Sequence, residues 1–371
     1  MKVSLSGTGA SAAPVKGRVV VAMSGGVDSS VAAALLVAQG YEVVGMMLRL
    51  WSEEGGAAAN RCCTPDQMAD ARRVAEALDI PFYALDVQNY FRNTIVQFFI
   101  DEHARGRTPN PCIECNRTIR FGYLLQQALG LGASYLATGH YARTRPTPAG
   151  FELLRAVDAR KDQSYVLHVL GQEALGRAIF PIGGYTKAEV RQLAEEYGLG
   201  VAGKHESQDL CFLADGDHRR FLGEHAPDLE AAGAIETVGG RLLGQHQGLH
   251  NYTLGQRKGL GVAAGSPLFV VDKDMSRNVL VVGSREQAST RHFTLRSVNW
   301  VAGRPPDARF QAAAQVRYKS QPLSAAVEAL PESRAVVTLA EPALGVTPGQ
   351  GAVFYLGDVC LGGGLIEDHR P

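Results

Sequence analysis

The stretch RVVVAMSGGVDSSVAAALL, Arg18 to Leu36, decides the fold. A run of β-branched residues ends at a glycine-containing turn that carries hydroxyls and one carboxylate, and an alanine-rich helical pattern follows at once. A strand that turns directly into a helix leaves backbone N–H groups of the turn and of the helix N-terminus pointing outward, which makes an anion site. Gly25 and Gly26 let the backbone approach an anion closely, and Ser24, Ser29 and Ser30 add hydroxyl donors. The plain alternative is a strand-to-helix turn capped by Asp28 or Ser29.

Two familiar phosphate turns do not fit. The nucleotide P-loop requires G-x-x-x-x-G-K-[ST] and the dinucleotide turn requires G-x-G-x-x-G, and this turn has neither the lysine nor the spacing. The remaining one that fits is S-G-G-x-D-S, the pyrophosphate loop of ATP-pyrophosphatases. Those enzymes cleave ATP between the α- and β-phosphates and transfer AMP to a substrate oxygen, a chemistry in which Asp28 positions Mg²⁺ on the leaving pyrophosphate.

Outward from the turn, strand patterns at 18–23, 41–50, 82–87 and 133–138 alternate with helical patterns at 29–39, 65–79, 89–104 and 116–129. Such alternation predicts a parallel sheet covered by helices on both faces, with its ligand beyond the carboxyl ends of the strands. Thr64-Pro65 and Asn110-Pro111 mark helix starts. After about residue 210 glycines cluster and short alternating runs recur between Pro/Gly turns, the texture of a small β-rich unit and then a β-barrel. The expected organisation is a disordered tail at 1–17, an α/β ATP-pyrophosphatase domain at 18–210, a β-rich central domain at 211–284 and a barrel at 285–371. The aperiodic stretch 52–61 reads as a mobile loop.

Lys+Arg and Asp+Glu both total 37 in the 371 residues, so no global field points to a polyanion, although a local basic groove is compatible with a neutral total. The first residues lack the apolar core of a secretory signal, and no run of about eighteen apolar residues occurs, which predicts a cytoplasmic protein without a membrane span. Six cysteines are too few for a disulfide scaffold in a chain of this length. Cys360, in a strand-like run, reads as a small buried hydrophobe. Cys112 and Cys115 lie three apart at the start of a helix, where a thiol pKa falls and the nucleophilic thiolate is enriched. Zinc, an iron–sulfur cluster and redox chemistry all remain open for this pair. Cys211 stands in a polar stretch.

Taken together, AMSGGVDSS, TPNPCIECNRTIRFG, ATGHYAR, KDQSYVL, ESQDLCFLADGDHRRF and NYTLGQRKGLG, in this order from residue 18 onward, resemble the tRNA-specific 2-thiouridylases, which replace the C2 oxygen of the wobble uridine by sulfur. The resemblance implies that Ala22, Met23, Ser24, Gly25, Gly26, Val27, Asp28, Ser29, Met47 and Gly139 bind ATP. It places the nucleophile on Cys115 and the persulfide carrier on Cys211, joined in a transient disulfide, and sets Asn110, Pro111 and Cys112 against the target base. His140, Lys161, Asp162, Gln163, Arg317, Tyr318 and Gln350 are implied as tRNA contacts. The implied partners are the anticodon loops of tRNA-Lys, tRNA-Glu and tRNA-Gln and a sulfur donor, either a cysteine desulfurase or a sulfur-relay protein. The family's well-known form carries aspartate where this chain has Cys112, and with cysteine there Cys112, Cys115 and Cys211 form the ligand set of a [4Fe-4S] cluster. Without the family, Arg117 and Arg120 read as a solvated helix face or phosphate contacts, Arg317 and Tyr318 as the exposed face of a strand, His140 as a satisfied loop histidine and Asp162 as a helix cap. Two other functions use the same features: an amide-forming synthetase with the same pyrophosphate turn, and an RNA-binding protein with a structural metal on its cysteines.

Overall fold

A computed structural model of the chain describes residues 16–53, 64–204, 210–213 and 215–369. The tail before Lys16, most of the 52–61 stretch, and Cys62 and Cys63 lie outside the described residues.

Strands β1 (Arg18–Ala22), β2 (Glu42–Arg49), β3 (Phe82–Asp86) and β4 (Tyr135–Thr138) come first, followed by a hairpin of β5 (Arg143–Thr147) and β6 (Gly150–Leu154) and by the short β7 (Ala178–Ile179). Five of them form a parallel sheet in the order β3-β2-β1-β4-β7. The valines of β1 explain why it is central: Val20 faces one apolar layer with Val44, Met46 and Leu136, while Val19 and Val21 face another with Val43, Met47 and Ala137. A strand buried on both faces reads as a continuous apolar run, as this one does. The alanines of the first helix (Val27–Ala38) let it pack closely on the second layer. From β1 the chain goes to β2 and β3 on one side and to β4 and β7 on the other, so a crevice opens at the carboxyl ends of β1 and β4.

The central unit is a four-stranded sheet of β8 (Gly233–Thr237), β9 (Leu242–His246), β10 (Phe269–Asp274) and β11 (Val279–Gly283), ordered β10-β11-β8-β9. Six antiparallel strands follow: β12 (Ser289–Trp300), β13 (Arg309–Gln315), β14 (Leu323–Leu330), β15 (Arg334–Leu344), β16 (Gly351–Leu356) and β17 (Val359–Asp368). Their order β12-β15-β14-β13-β16-β17 closes through β12–β17 pairing, a barrel without a free edge.

The β5–β6 hairpin carries no periodic signal, because RTRPT is polar and contains a proline. Its partner is distant: β6 pairs with β17, Leu153 opposite Cys360, so the first domain and the barrel share a sheet. Cys360 is 1% exposed at that seam, and burial pushes its thiol up to about 12, an inert core residue as its run suggested.

Candidate active site

The turn after β1 sits in the crevice. Gly25 has φ +70°, and a Cβ there would lie 2.3 Å from the Gln67 carbonyl oxygen, so only glycine fits. Ser29 ties the turn to the first helix: its hydroxyl accepts from the Ser24 N–H at 3.1 Å and reaches the Gly26 carbonyl at 3.2 Å. Ser30 donates to the same carbonyl at 2.8 Å. Gly139, following β4, packs so closely that a Cβ would lie 2.7 Å from the Ser29 nitrogen. Residues 22–29 and Gly139 therefore meet at one place. Met47 is 1% exposed and packs in the apolar cluster that also holds Met23 and Val27, beneath the turn.

Asp28 is the charged centre of this place. Its Oδ1 accepts from Lys187 Nζ at 2.7 Å and from the Tyr141 hydroxyl at 2.8 Å. Lys204 Nζ donates to the Gly25 carbonyl at 3.1 Å and pairs with Asp70. Two lysines thus stand beside a turn whose N–H groups already favour anions. The sequence reading missed both, along with Tyr141. One signal was available: Lys187 opens a helix (Lys187–Glu196) whose N-terminus Thr186 and Glu189 close with a capping box, and a cation in a helix's first turn opposes the helix dipole.

Cys115 and Cys211 lie near the carboxyl end of β2, the neighbour of β1. Asn110 caps the cysteine helix, its Oδ1 accepting from the Cys112 N–H at 3.1 Å, and Pro111 fills the first position. That helix begins at Pro111–Cys115 and is wound as a π-helix over Asn116–Leu124. Cys115 is 6% exposed, in a cluster with Phe91, Ile119, Phe212 and Phe221. Cys211 packs against that cluster, as do Leu48, Leu50 and Trp51 from the end of β2. Cys112 is exposed. Among the described residues, the only three His, Cys, Asp or Glu side chains with ligand atoms all within 4.8 Å of one another are Glu53, Glu224 and His225, so the cysteines do not form a zinc-sized cage.

The residues implied as tRNA contacts gather at the domain seam, and most have partners within the chain. His140 is buried between Thr138 and Arg120: its Nε2 lies 3.2 Å from Arg120 Nη1, which makes it the acceptor, and its Nδ1 lies 2.8 Å from the Thr138 hydroxyl. Burial first, and Arg120 second, lower its pKa well below the usual imidazole value, so it is neutral. Asp162 accepts from the Ala156 and Ser164 N–H groups and pairs with Arg155 at 3.1 Å. Gln163 exchanges two hydrogen bonds with the Tyr141 backbone, at 2.8 and 2.9 Å, which links this segment to Asp28. Lys161 is half-buried beside them. Arg317 and Tyr318 are not on a strand. They follow β13 in a turn, with Arg317 donating to the Leu254 carbonyl at 2.7 Å and to Thr347 at 3.1 Å. Tyr318 packs on Tyr165; burial, then Asp162 and Cys112, raise its pKa, so the barrel faces the thiol segment here. Gln350 donates to the Thr108 carbonyl at 2.8 Å.

Residues 17–215 match the family described as the tRNA methyl transferase HUP domain, 219–284 the tRNA methyl transferase PRC-barrel domain and 290–366 the aminomethyltransferase beta-barrel domain. The tRNA-specific 2-thiouridylase MnmA of Geotalea uraniireducens is 47% identical over 356 residues, 94% of this chain and 95% of its own. That of Chloroflexus aurantiacus is 48% identical over 355 residues, 95% and 98% of the two chains. The chain belongs to the tRNA-specific 2-thiouridylase family. A solved 4-thiouridine synthetase–RNA complex with bound ATP is 18% identical, covering 58% of this chain and 52% of that chain at a TM-score of 0.36.

Proposed function

We propose that the protein converts the wobble uridine of tRNA to 2-thiouridine in two steps at the crevice. The observation that carries the reading is that Cys115 and Cys211, far apart in sequence, share one apolar cluster with Leu48 and Leu50 at the carboxyl end of β2, beside β1, whose carboxyl end leads into the Asp28 turn.

In the first step the C2 oxygen, with the N3 proton leaving, attacks the α-phosphorus of ATP, and the bond to the bridging oxygen of the β-phosphate breaks. The turn's N–H groups, Lys187 and Lys204 balance charge on the departing pyrophosphate. Asp28 Oδ2 has no partner among the described residues and would hold a Mg²⁺ ion, which would lower the charge of the leaving group. In the second step the terminal sulfur of a Cys211 persulfide bonds to C2 and AMP leaves. The Cys115 thiolate then attacks the inner Cys211 sulfur, the persulfide bond breaks, sulfur stays on the base, and a small-molecule thiol reduces the resulting disulfide. Reaching C2 requires an unstacked base, which an anticodon loop supplies at little cost.

A [4Fe-4S] cluster would draw on Cys112, Cys115 and Cys211 together. With Cys115 buried in the aromatic cluster and Cys112 exposed, the arrangement suits a two-thiol exchange, and no step is assigned to a cluster. The sulfur donor is a cysteine desulfurase or relay protein, and the substrates are tRNA-Lys, tRNA-Glu and tRNA-Gln. A reducing cytoplasm suits thiols that must return to the reduced state. Incubation with bulk tRNA, ATP and a persulfide donor, followed by nucleoside analysis, should yield 2-thiouridine and AMP. AMP release stimulated by an amino acid and not by tRNA would point instead to an amide-forming synthetase.

A further inference from the structure

Eight residues before Asn110, the cap of the cysteine helix, a single carboxylate gathers three arginines. Glu102 is 2% exposed. Its Oε1 accepts from Arg105 at 3.1 Å and Arg107 at 3.0 Å, and its Oε2 accepts from Arg296 at 2.9 Å. Arg105 and Arg107 belong to the same loop, whereas Arg296 comes from β12 of the barrel. A buried carboxylate with charge-assisted bonds from two domains is a geometric anchor, because moving either domain strips partners from a desolvated charge.

The anchor acts on the segment that matters. Thr108, one residue past Arg107, is held on both sides by the barrel: its N–H donates to the Pro348 carbonyl at 2.9 Å and its carbonyl accepts from Gln350 at 2.8 Å. Its hydroxyl lies 3.4 Å from that of Thr253 in the central unit. Asn110, the cap that sets the direction of Cys112 and Cys115, is two residues further on. We propose that Glu102, through Arg107 and Arg296, is a positioning residue that fixes the thiol-bearing segment against the barrel for sulfur transfer. This rests on the thiouridylase reading.

Arg296→Met is the first variant, since it leaves Glu102 with two arginines and the fold with its core. Arg296→Lys, which keeps the charge, is its partner, and Glu102→Gln completes the set. At saturating tRNA and ATP, the single-turnover thiolation rate of Arg296→Met should fall roughly tenfold or more, the scale of a small misplacement of reacting groups. The Kd for ATP should stay unchanged, and Arg296→Lys should recover much of the rate. Independently of activity, alkylation of Cys115 by a maleimide, followed by mass spectrometry, should be several-fold faster in Arg296→Met and Glu102→Gln than in the parent. Unchanged thiolation and unchanged Cys115 alkylation in Arg296→Met would overturn the proposal, as would a rate loss matched by weaker ATP binding. If the parent protein makes no 2-thiouridine, the functional reading fails, while the alkylation rates still decide whether Glu102 holds the segment.

Discussion

Lys187 Nζ lies 2.7 Å from Asp28 Oδ1, an ion pair between the first turns of two helices that meet over the crevice. The lysine neutralises the carboxylate in this structure. On the proposed function, the phosphates of ATP would compete for the lysine and free the carboxylate for a divalent cation. Lys187→Ala and Asp28→Asn should therefore each lower tRNA-dependent AMP release by roughly a hundredfold, the usual scale for losing one charge-stabilising group at a reacting centre. Lys187→Arg should retain part of the activity. Full AMP release in Lys187→Ala, measured with radiolabelled ATP, would remove the lysine from the mechanism.

Sulfur chemistry should separate from activation. Cys211→Ser should still consume ATP and adenylate tRNA but yield no 2-thiouridine from a persulfide donor, because the groups proposed to activate the base lie at the Asp28 turn and the thiol pair lies in a separate apolar cluster. Cys115→Ser should stall with the base's new sulfur still bonded to Cys211, visible as a covalent protein–tRNA adduct that a reducing agent releases.

Cys112 gives a third test. The two-thiol route predicts a colourless, iron-free protein after anaerobic purification and an active Cys112→Asp variant. A brown protein with about four irons, losing both iron and activity in Cys112→Asp, would replace that route with a cluster.

Gly139→Ala should raise the KM for ATP by roughly tenfold, because the added Cβ meets backbone atoms of Asp28 and Ser29 that cannot move without tilting the first helix. Saturation kinetics of AMP release at fixed tRNA measure this. An unaltered KM would mean that the helix yields without disturbing the turn.

Stability should fall with acidity earlier than carboxylate titration alone would cause. Burial lowers His103 to about 3 and His168 to about 4, so both stay neutral when folded but take up protons near pH 6.5 when unfolded. Their contribution is complete above pH 6.5 and is lost as the pH falls toward those folded values. Each group adds a slope of about 1.4 kcal/mol per pH unit in that window. Urea unfolding between pH 7 and 5 should display this slope, and His103→Phe should reduce it by one proton's worth. An identical slope in that variant would show that His103 is not the group responsible.

Much of the candidate site was legible because its parts are local. A strand-to-helix anion turn consists of consecutive residues, so SGGVDSS stands out as one, and β1 reads as central because a strand buried on both faces must be apolar throughout. The Asn110-Pro111 start of the cysteine helix is equally local, a cap followed by a residue that needs no donor. Lys187 and Lys204 were not legible: lysines on polar stretches look alike until the fold brings one to Asp28 and the other to Gly25.

The sequence by itself determined the α/β sheet, the anion turn after its central strand and the barrel texture, since these follow from periodicity and turn chemistry within a few residues. Only the tertiary structure decided what surrounds them. It turned Arg317 from an expected strand face into a half-buried clamp on Leu254 and Thr347, paired β6 with β17 across the length of the chain, put Cys211 on the cluster of Cys115, and made Glu102 the meeting point of two domains. Such contacts join residues whose separation in sequence carries no periodic signal, and their partners are selected by the packing of whole domains.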